Sequence, residues 1–205
     1  MDFLIKSGQN LKGVITVPGD KSISHRSIIL SSLAAGTSKI TGLLEGEDCL
    51  ATIEVFRNMG INIVNERGIY SIEGKGLRGL EDPKKPLDFG NSGTSIRLCS
   101  GILPGQSFKS TLIGDDSLSS RPMQRIVEPL TAMGVNITSN NGTLPLDISP
   151  TDSLKSINYS LPVASAQVKS CIMLSALYAE GVTTIEESTV TRNHTENMFE
   201  HFGIP

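Results

Sequence analysis

Thr16-Val17-Pro18-Gly19-Asp20-Lys21-Ser22-Ile23-Ser24-His25-Arg26-Ser27 joins the end of a strand to the start of a helix through a turn. Val14 to Val17 is an apolar run of strand type, Pro18-Gly19 is a turn dipeptide, and an apolar helical pattern begins near Ser24. A helix N-terminus exposes unpaired backbone N–H groups and the positive end of its dipole, which suits an anion. Lys21 and Arg26 add two full charges there, and a guanidinium can hold a phosphate or carboxylate with two parallel bonds. Taken alone, the turn could equally be a capped helix whose lysine and arginine face water. What separates the two readings is that the chain makes a similar turn three times.

Outward from this turn, the helix carries Ile28, Ile29, Leu30, Leu33, Ala34 and Ala35 with no charge after Arg26, so it has no polar face and reads as buried. A strand (38–44), an amphipathic helix opened by Glu47-Asp48, and a hairpin (61–65 and 68–73) follow. The same order then returns. A short strand (87–89) leads into the turn Gly90-Asn91-Ser92-Gly93-Thr94-Ser95, then an apolar helix, a strand (108–114), a surface helix (121–133) and a hairpin (135–139 and 144–148). A third copy starts at Ile157, with the turn Ala164-Ser165-Ala166-Gln167, an apolar helix, a strand (183–188) and a helix (191–202). Gly36, Gly105 and Gly181 close the apolar helices, and Gly60, Gly134 and Gly203 close the surface helices, each about 70 residues from its counterpart. Met59-Gly60-Ile61-Asn62-Ile63 and Met133-Gly134-Val135-Asn136-Ile137 are close to identical.

The period predicts an α/β protein of three βαβαββ units, at about 12–80, 81–150 and 151–205, around three buried parallel helices. This is an inside-out α/β barrel whose third unit lacks the closing hairpin, which reads as part of a longer protein. Residues 1–17 are expected to form an N-terminal hairpin, with strands at 3–6 and 11–17, apart from a domain at 18–205. If the units pack about a pseudo-threefold, the turns at Lys21–Arg26, Asn91–Thr94 and Ser165–Gln167 converge on one patch.

Of the 205 residues, 38% are hydrophobic and the net charge is −3, which argues against a general nucleic-acid or membrane surface and makes the clustered basic residues a local matter. Trp is absent and aromatics are 4%, leaving few platforms on which bases could stack. Cys49, Cys99 and Cys171 have neither metal nor disulfide spacing, so the expected home is a reducing cytoplasm.

Pro18-Gly19-Asp20-Lys21-Ser22-Ile23-Ser24-His25-Arg26, Gly90-Asn91-Ser92-Gly93-Thr94, Arg121-Pro122-Met123 and Ala164-Ser165-Ala166-Gln167-Val168-Lys169-Ser170, in this order, closely resemble the 5-enolpyruvylshikimate-3-phosphate (EPSP) synthase family. The resemblance covers the whole chain and implies a transferase of the shikimate pathway and aromatic amino-acid biosynthesis. Such an enzyme moves the enolpyruvyl group of phosphoenolpyruvate to the 5-hydroxyl of shikimate 3-phosphate without metal or cofactor. It also implies a monomer whose second, C-terminal domain supplies the proton-transfer carboxylates and is missing here, so that this chain alone is inactive. Position by position, Lys21, Ser22, Arg26, Ser165, Ala166, Gln167 and Arg192 resemble the shikimate 3-phosphate site. Lys21, Asn91, Gly93, Arg121 and Gln167 resemble the phosphoenolpyruvate site, and Lys21 is the catalytic candidate. Both substrates are anionic, so a neutralising cradle is what the chemistry needs.

In this family the inhibitor glyphosate occupies the phosphoenolpyruvate site. Ser165-Ala166-Gln167 and Arg192 resemble a tolerant branch, whereas Gly93 leaves the inhibitor's space open, and the balance favours inhibitor binding. Plainer readings stand beside these roles. Ser22 and Ser165 could be N-caps, Gly93 could serve a positive φ, His25, His194 and His201 could be surface residues, Asp115-Asp116 a helix cap, and Cys99 and Cys171 apolar fillers. The sibling UDP-N-acetylglucosamine enolpyruvyl transferase has asparagine after its lysine and a cysteine before its Arg-Pro. Here Ser22 follows Lys21, and residues 115–120 contain no cysteine. A non-catalytic anion-binding or folding domain is the other alternative.

Overall fold

The computed structural model describes residues 3, 4, 6–8, 10 and 12–204. The first unit runs α1 (Lys21–Leu33), β1 (Ala35–Thr41), α2 (Glu47–Asn58), β2 (Asn62–Glu66) and β3 (Ile69–Lys75), with a sheet in the order β1-β3-β2, antiparallel throughout. The second runs β4 (Leu87–Asp88), α3 (Gly93–Ile102), a 3₁₀ turn (Leu103–Gly105), β5 (Ser110–Ile113), α4 (Asp116–Ser119), α5 (Gln124–Ala132), β6 (Ile137–Asn140) and β7 (Thr143–Ile148). Its sheet is β4-β5-β7-β6, with β4 parallel to β5 and the rest antiparallel. The third holds β8 (Leu154–Lys155), β9 (Asn158–Ser160), α6 (Ala166–Ala176), β10 (Ala179–Glu180), β11 (Thr184–Glu186) and α7 (His194–His201); β9 pairs parallel with β11 and β8 with β10.

The repeat seen in the sequence returns as one backbone motif used three times. The helices α2, α5 and α7 end with Gly60, Gly134 and Gly203 at positive φ. The amide of each glycine donates to the carbonyl three residues back, and the next residue's amide donates five residues back: Ile61 to Phe56, Val135 to Leu130 and Ile204 to Phe199, at 2.9–3.0 Å. This is the Schellman closure, which satisfies end carbonyls and favours glycine because a Cβ is strained there. The link to the next unit repeats too, since Glu81 donates to the Met59 carbonyl and Lys155 to that of Met133.

The helices α1, α3 and α6 pack together at the centre, with Ile28, Ile29, Ile96, Leu98, Cys99, Ile102, Cys171 and Ile172 fully buried. Their buried serines do not break this core, because Ser32, Ser100 and Ser170 each donate to a carbonyl four residues back in the same helix. Cys99 and Cys171 are buried free thiols, as fillers should be, and Asp115 caps α4, as the Asp-Asp pair predicted.

Three expectations change. The helix predicted near Ser24 starts at Lys21, because Asp20 serves as N-cap and its carboxylate accepts from the Ile23 amide. The N-terminal hairpin lies partly outside the described residues, and the described residues before Asp20 belong to no strand. Val14, Ile15 and Val17 are 100%, 84% and 71% exposed, and an apolar run forms a strand only against a partner edge. The short β8–β10 pair was not foreseen, since two-residue strands carry no readable alternation.

Gly101 is where α3 and α6 touch backbone to backbone: a Cβ there would lie 2.3 Å from the Cys171 carbonyl oxygen. Gly101→Ala should therefore destabilise by about 1–3 kcal/mol through overpacking, outweighing the roughly 1 kcal/mol that alanine gains as a helix former. Urea unfolding measures this, and an unchanged or raised midpoint would rule out the close approach.

Candidate functional site

The N-terminal ends of α1, α3 and α6 meet at one cavity of about 280 Å³, lined by Asp20, Lys21, Ser22, Arg26, Thr94, Ala166, Gln167 and Arg192. Three helix dipoles therefore point their positive ends at the same space. Each is worth about 0.3–2 kcal/mol toward an anion, less than a charge-assisted hydrogen bond at about 1.5–3 kcal/mol, so the side chains dominate.

Arg26 is the most constrained of them, with only 3% of its surface exposed. Nε donates to Thr195 Oγ1 at 2.7 Å, Nη1 to the Ser22 carbonyl and Oγ at 3.0 and 2.7 Å, and Nη2 to Ser170 Oγ at 2.6 Å. A guanidinium has five N–H donors, so one on Nη2 remains for the cavity. Burial pulls Arg26 down to about 10, which leaves it cationic at neutral pH. Its role as a two-pronged clamp, suggested by residue type, is not its arrangement here. A cation this deeply buried must have its donors satisfied within the protein.

Lys21 is exposed and paired with Asp48 of α2 at 2.7 Å. Arg192 is exposed on the loop before α7 and reaches the cavity. Ser22 is not the cap of α1; its hydroxyl accepts from Arg26 and lies 2.9 Å from His194 Nδ1. Ser165 does cap α6, accepting from the Val168 amide. Beneath them Lys169 is buried between Glu187 and Glu196, at 2.7 and 2.6 Å, and fastens α6 to the loop that carries Arg192 and to α7.

The second group of predicted residues forms an adjoining wall. Arg121 donates to Asn91 Oδ1 and to Ser117 Oγ, while Asn91 donates to Asp115. Arg97, which the sequence reading passed over, ties this wall to the cavity: it donates to the Gly93 carbonyl at 3.0 Å, to Gln167 Oε1 at 3.1 Å and to the Pro122 carbonyl at 3.1 Å. Gln167 Nε2 donates to Thr94 Oγ1 at 3.0 Å. The Gln167 amide is thereby held with its oxygen on a cation and one N–H still free. Burial lowers the pKa of Arg97, and the nearby cations Arg121 and Arg125 lower it further. Gly93 does not have a positive φ. It is small because a Cβ would lie 2.9 Å from Arg97 Nη1 and 3.0 Å from Arg121 Nη1. The helical spacing of Arg97 from Gly93 was the available signal for it.

His25 is not the surface residue it was read as. It is fully buried, with Nδ1 2.8 Å from Thr52 Oγ1, which in turn bonds Ser95 Oγ, so the three residues link α1, α2 and α3. His201 is exposed, as predicted, and His194 is half-buried against Ser22. Among the described residues no group of three or more His, Cys, Asp or Glu could hold a metal, and no helix is long and apolar enough to cross a membrane.

The model of the family described as EPSP synthase (3-phosphoshikimate 1-carboxyvinyltransferase) matches residues 5–205. The chain is 57% identical over 201 residues to the 3-phosphoshikimate 1-carboxyvinyltransferase of Ruthia magnifica, covering 98% of this chain and 46% of that protein. It is 54% identical over 207 residues to that of Hydrogenovibrio crunogenus, covering 100% of this chain and 46% of the relative. A solved EPSP synthase of Acinetobacter baumannii superposes with a TM-score of 0.91 at 52% identity, over 93% of this chain and 44% of that one. The chain thus spans about half the length of the relatives it matches.

Burial holds the His25 imidazole down, to about 4 from the ordinary 6.5. The unfolded chain takes up a proton on His25 that the folded one refuses, so this contribution is whole above about pH 6.5 and is lost as pH falls toward 4. Between pH 7 and 4.5 His25 should account for a loss of about 2–3 kcal/mol. Urea unfolding at both pH values should show a smaller loss in His25→Asn, and an equal loss would contradict the burial.

Proposed function

Because the chain belongs to the EPSP synthase family, we propose that it is the shikimate 3-phosphate-binding half of a 3-phosphoshikimate 1-carboxyvinyltransferase. In this reading residues 18–205 form the substrate-binding domain, and the remaining length of the enzyme completes the phosphoenolpyruvate site and supplies proton transfer. The observation that carries it is the convergence of three helix N-termini and of Lys21, Arg26 and Arg192 on one cavity. A phosphate there would meet the free N–H of Arg26 Nη2, the Ser22 hydroxyl, the free N–H of Gln167 and the Arg192 guanidinium, while Lys21 would be shared with Asp48. The Arg97–Arg121 wall, with Gly93 and Asn91, is where phosphoenolpyruvate would lie, next to the ring held by Ser165 to Gln167. In this reading Lys21, which lines the cavity, would reach both substrates and act on the reacting group. Holding two anions against one another is the contribution this half would make to the transfer. The chemistry requires no cofactor. The three free, buried thiols suit a cytoplasmic enzyme, and burial holds Cys99 up near 12, where it does not react.

The sibling enolpyruvyl transferase for UDP-N-acetylglucosamine is disfavoured by Ser22 after Lys21 and by the absence of cysteine at 115–120. A non-catalytic anion-binding domain shares the cavity and is separated by turnover. The 205-residue chain should release no phosphate from shikimate 3-phosphate and phosphoenolpyruvate unless the rest of the enzyme is supplied. Activity from the pure chain alone would contradict the division of labour.

Shikimate 3-phosphate should bind the chain with a dissociation constant of order millimolar. Amide shifts should cluster at residues 21–27 and 165–169. Arg192→Ala, an exposed position whose truncation leaves the core intact, should weaken binding by about 1.5–3 kcal/mol. Shifts confined elsewhere, or an unaffected variant, would refute the assignment.

Gly93→Ala would drive a methyl against the Arg97 and Arg121 guanidinium groups. In the whole enzyme it should weaken glyphosate more than phosphoenolpyruvate. Inhibition constants for both forms test this, and an unchanged glyphosate constant would defeat the steric argument.

A further inference from the structure

We propose that His194 is a positioning residue of this cavity, setting the direction in which Ser22 points its hydroxyl proton. The inference rests on the anion-site reading above. Ser22 Oγ has one proton to give and two lone pairs to accept with. Arg26 Nη1, which can only donate, fills one lone pair at 2.7 Å. His194 Nδ1 lies 2.9 Å from the same oxygen. When Nδ1 carries a proton, it fills the second lone pair, and the Ser22 proton is left for the cavity whose wall Ser22 forms. When Nδ1 is bare, it is itself the acceptor, draws the Ser22 proton away, and leaves the cavity without that donor.

Charged groups near His194 come from the turn before α1, from α1 and from its own loop and helix. Asp20 Oδ1, on the turn before α1, is 3.9 Å from Nδ1 but already accepts from the Ile23 amide. Arg26 approaches from α1 and Arg192 stands two residues before His194 on its own loop. Glu196, on the same helix as His194, is tied to Lys169 of α6, which also holds Glu187. An imidazolium would lie 3.9 Å from the Asp20 carboxylate, and its charge would also act on a bound anion, so removal of the Ser22 hydroxyl is what separates the charge from the donor.

The test uses the 205-residue chain and sulfate, which stays doubly charged from about pH 5.5 to 8, the span in which histidines commonly gain their proton. Sulfate titrations at constant ionic strength, followed on the amides of Ser22, Ile23 and Gln167, should give a constant about tenfold tighter at pH 5.5 than at pH 8, the worth of one hydrogen bond of about 1.4 kcal/mol. His194→Asn, whose amide does not titrate, should bind equally at both. Ser22→Ala should lose the step. The nitrogen shift of His194 Nδ1 should report a protonated ring nitrogen when sulfate is bound. If Ser22→Ala keeps the full step, the imidazolium acts as a plain charge and the proposal is wrong. If His194→Asn keeps it, another group is titrating and the proposal is equally wrong. Binding with no pH step overturns this inference alone, whereas no response of these amides at either pH removes the anion site as well.

Discussion

A guanidinium buried to 3% exposure is the constraint to which the rest of this structure answers. Leaving a buried cation short of partners costs several kcal/mol, so the fold around Arg26 must supply acceptors, and it draws them from distant parts of the chain. Ser22 comes from α1 itself, Ser170 from α6, and Thr195 from α7, which lies 169 positions away in sequence. The acceptors are arranged as a relay. Ser170 donates to the Ala166 carbonyl, which leaves its oxygen open to Arg26 and Thr195, and Thr195 Oγ1 is left to accept from Nε. The first and third units are locked together at the floor of the cavity by a group whose remaining N–H faces the space above. Site and interface between units are the same set of bonds.

The three central helices must come close enough for their N-termini to share one cavity, and this explains the small residues on them. Gly101 against the Cys171 carbonyl sets the approach of α3 to α6, and Ser32 and Ser100 turn their hydroxyls back onto their own helices. Polar side chains of α1, α2 and α3 meet at Thr52. Thr52 Oγ1 donates to Ser95 Oγ at 2.9 Å, also reaches the Asp48 carbonyl at 3.0 Å, and lies 2.8 Å from His25 Nδ1. His25 Nε2 is buried without a partner among the described residues. Burial depresses its pKa because a second proton there would have no water to hydrate the charge.

Much of the fold was legible because local rules repeat. Gly60, Gly134 and Gly203 read as helix stops, and all three are Schellman glycines; the near-identity of Met59–Ile63 with Met133–Ile137 marked equivalent helix ends, and Met59 and Met133 are both fully buried. The convergence of Lys21, Gln167 and Arg192 could be anticipated from the repeat and the resemblance together. What escaped was set by contacts distant in sequence. His25 follows two serines and precedes an arginine, a local context that looks solvent-facing; only packing against Thr52 buries it. Arg97 sits in an apolar helix, where its spacing from Gly93 is the one local signal; Gln167 and Pro122, distant in sequence, complete its surroundings. Val14 to Val17 has strand composition, yet composition provides no partner edge, and the described residues there stay unpaired and exposed.

The charges divide into two kinds, and the division bears on how such a site can work. Lys169, with Glu187 and Glu196, is a set of one cation and two carboxylates, net charge −1; the hydrogen bonds it donates to those carboxylates outweigh the burial that would lower its pKa and hold it above the ordinary lysine range. Its part in the site is to fasten α6 to α7 and to the loop that carries Arg192. Arg97, Arg121 and Arg192 carry no carboxylate within ion-pairing distance among the described residues, and Arg97 has its pKa lowered by burial and by its cationic neighbours. Like charges held this close cost free energy in the empty site, and an anion would relieve that cost on entering. The scaffold that bears it is made of the elements least able to yield: a glycine contact between helices, three Schellman ends and a buried arginine with four of its five N–H groups bonded within the protein. A softer fold would let the guanidinium groups drift apart into solvent. Because this one cannot, the relief is available only to a ligand of the right charge lying where the helix ends meet.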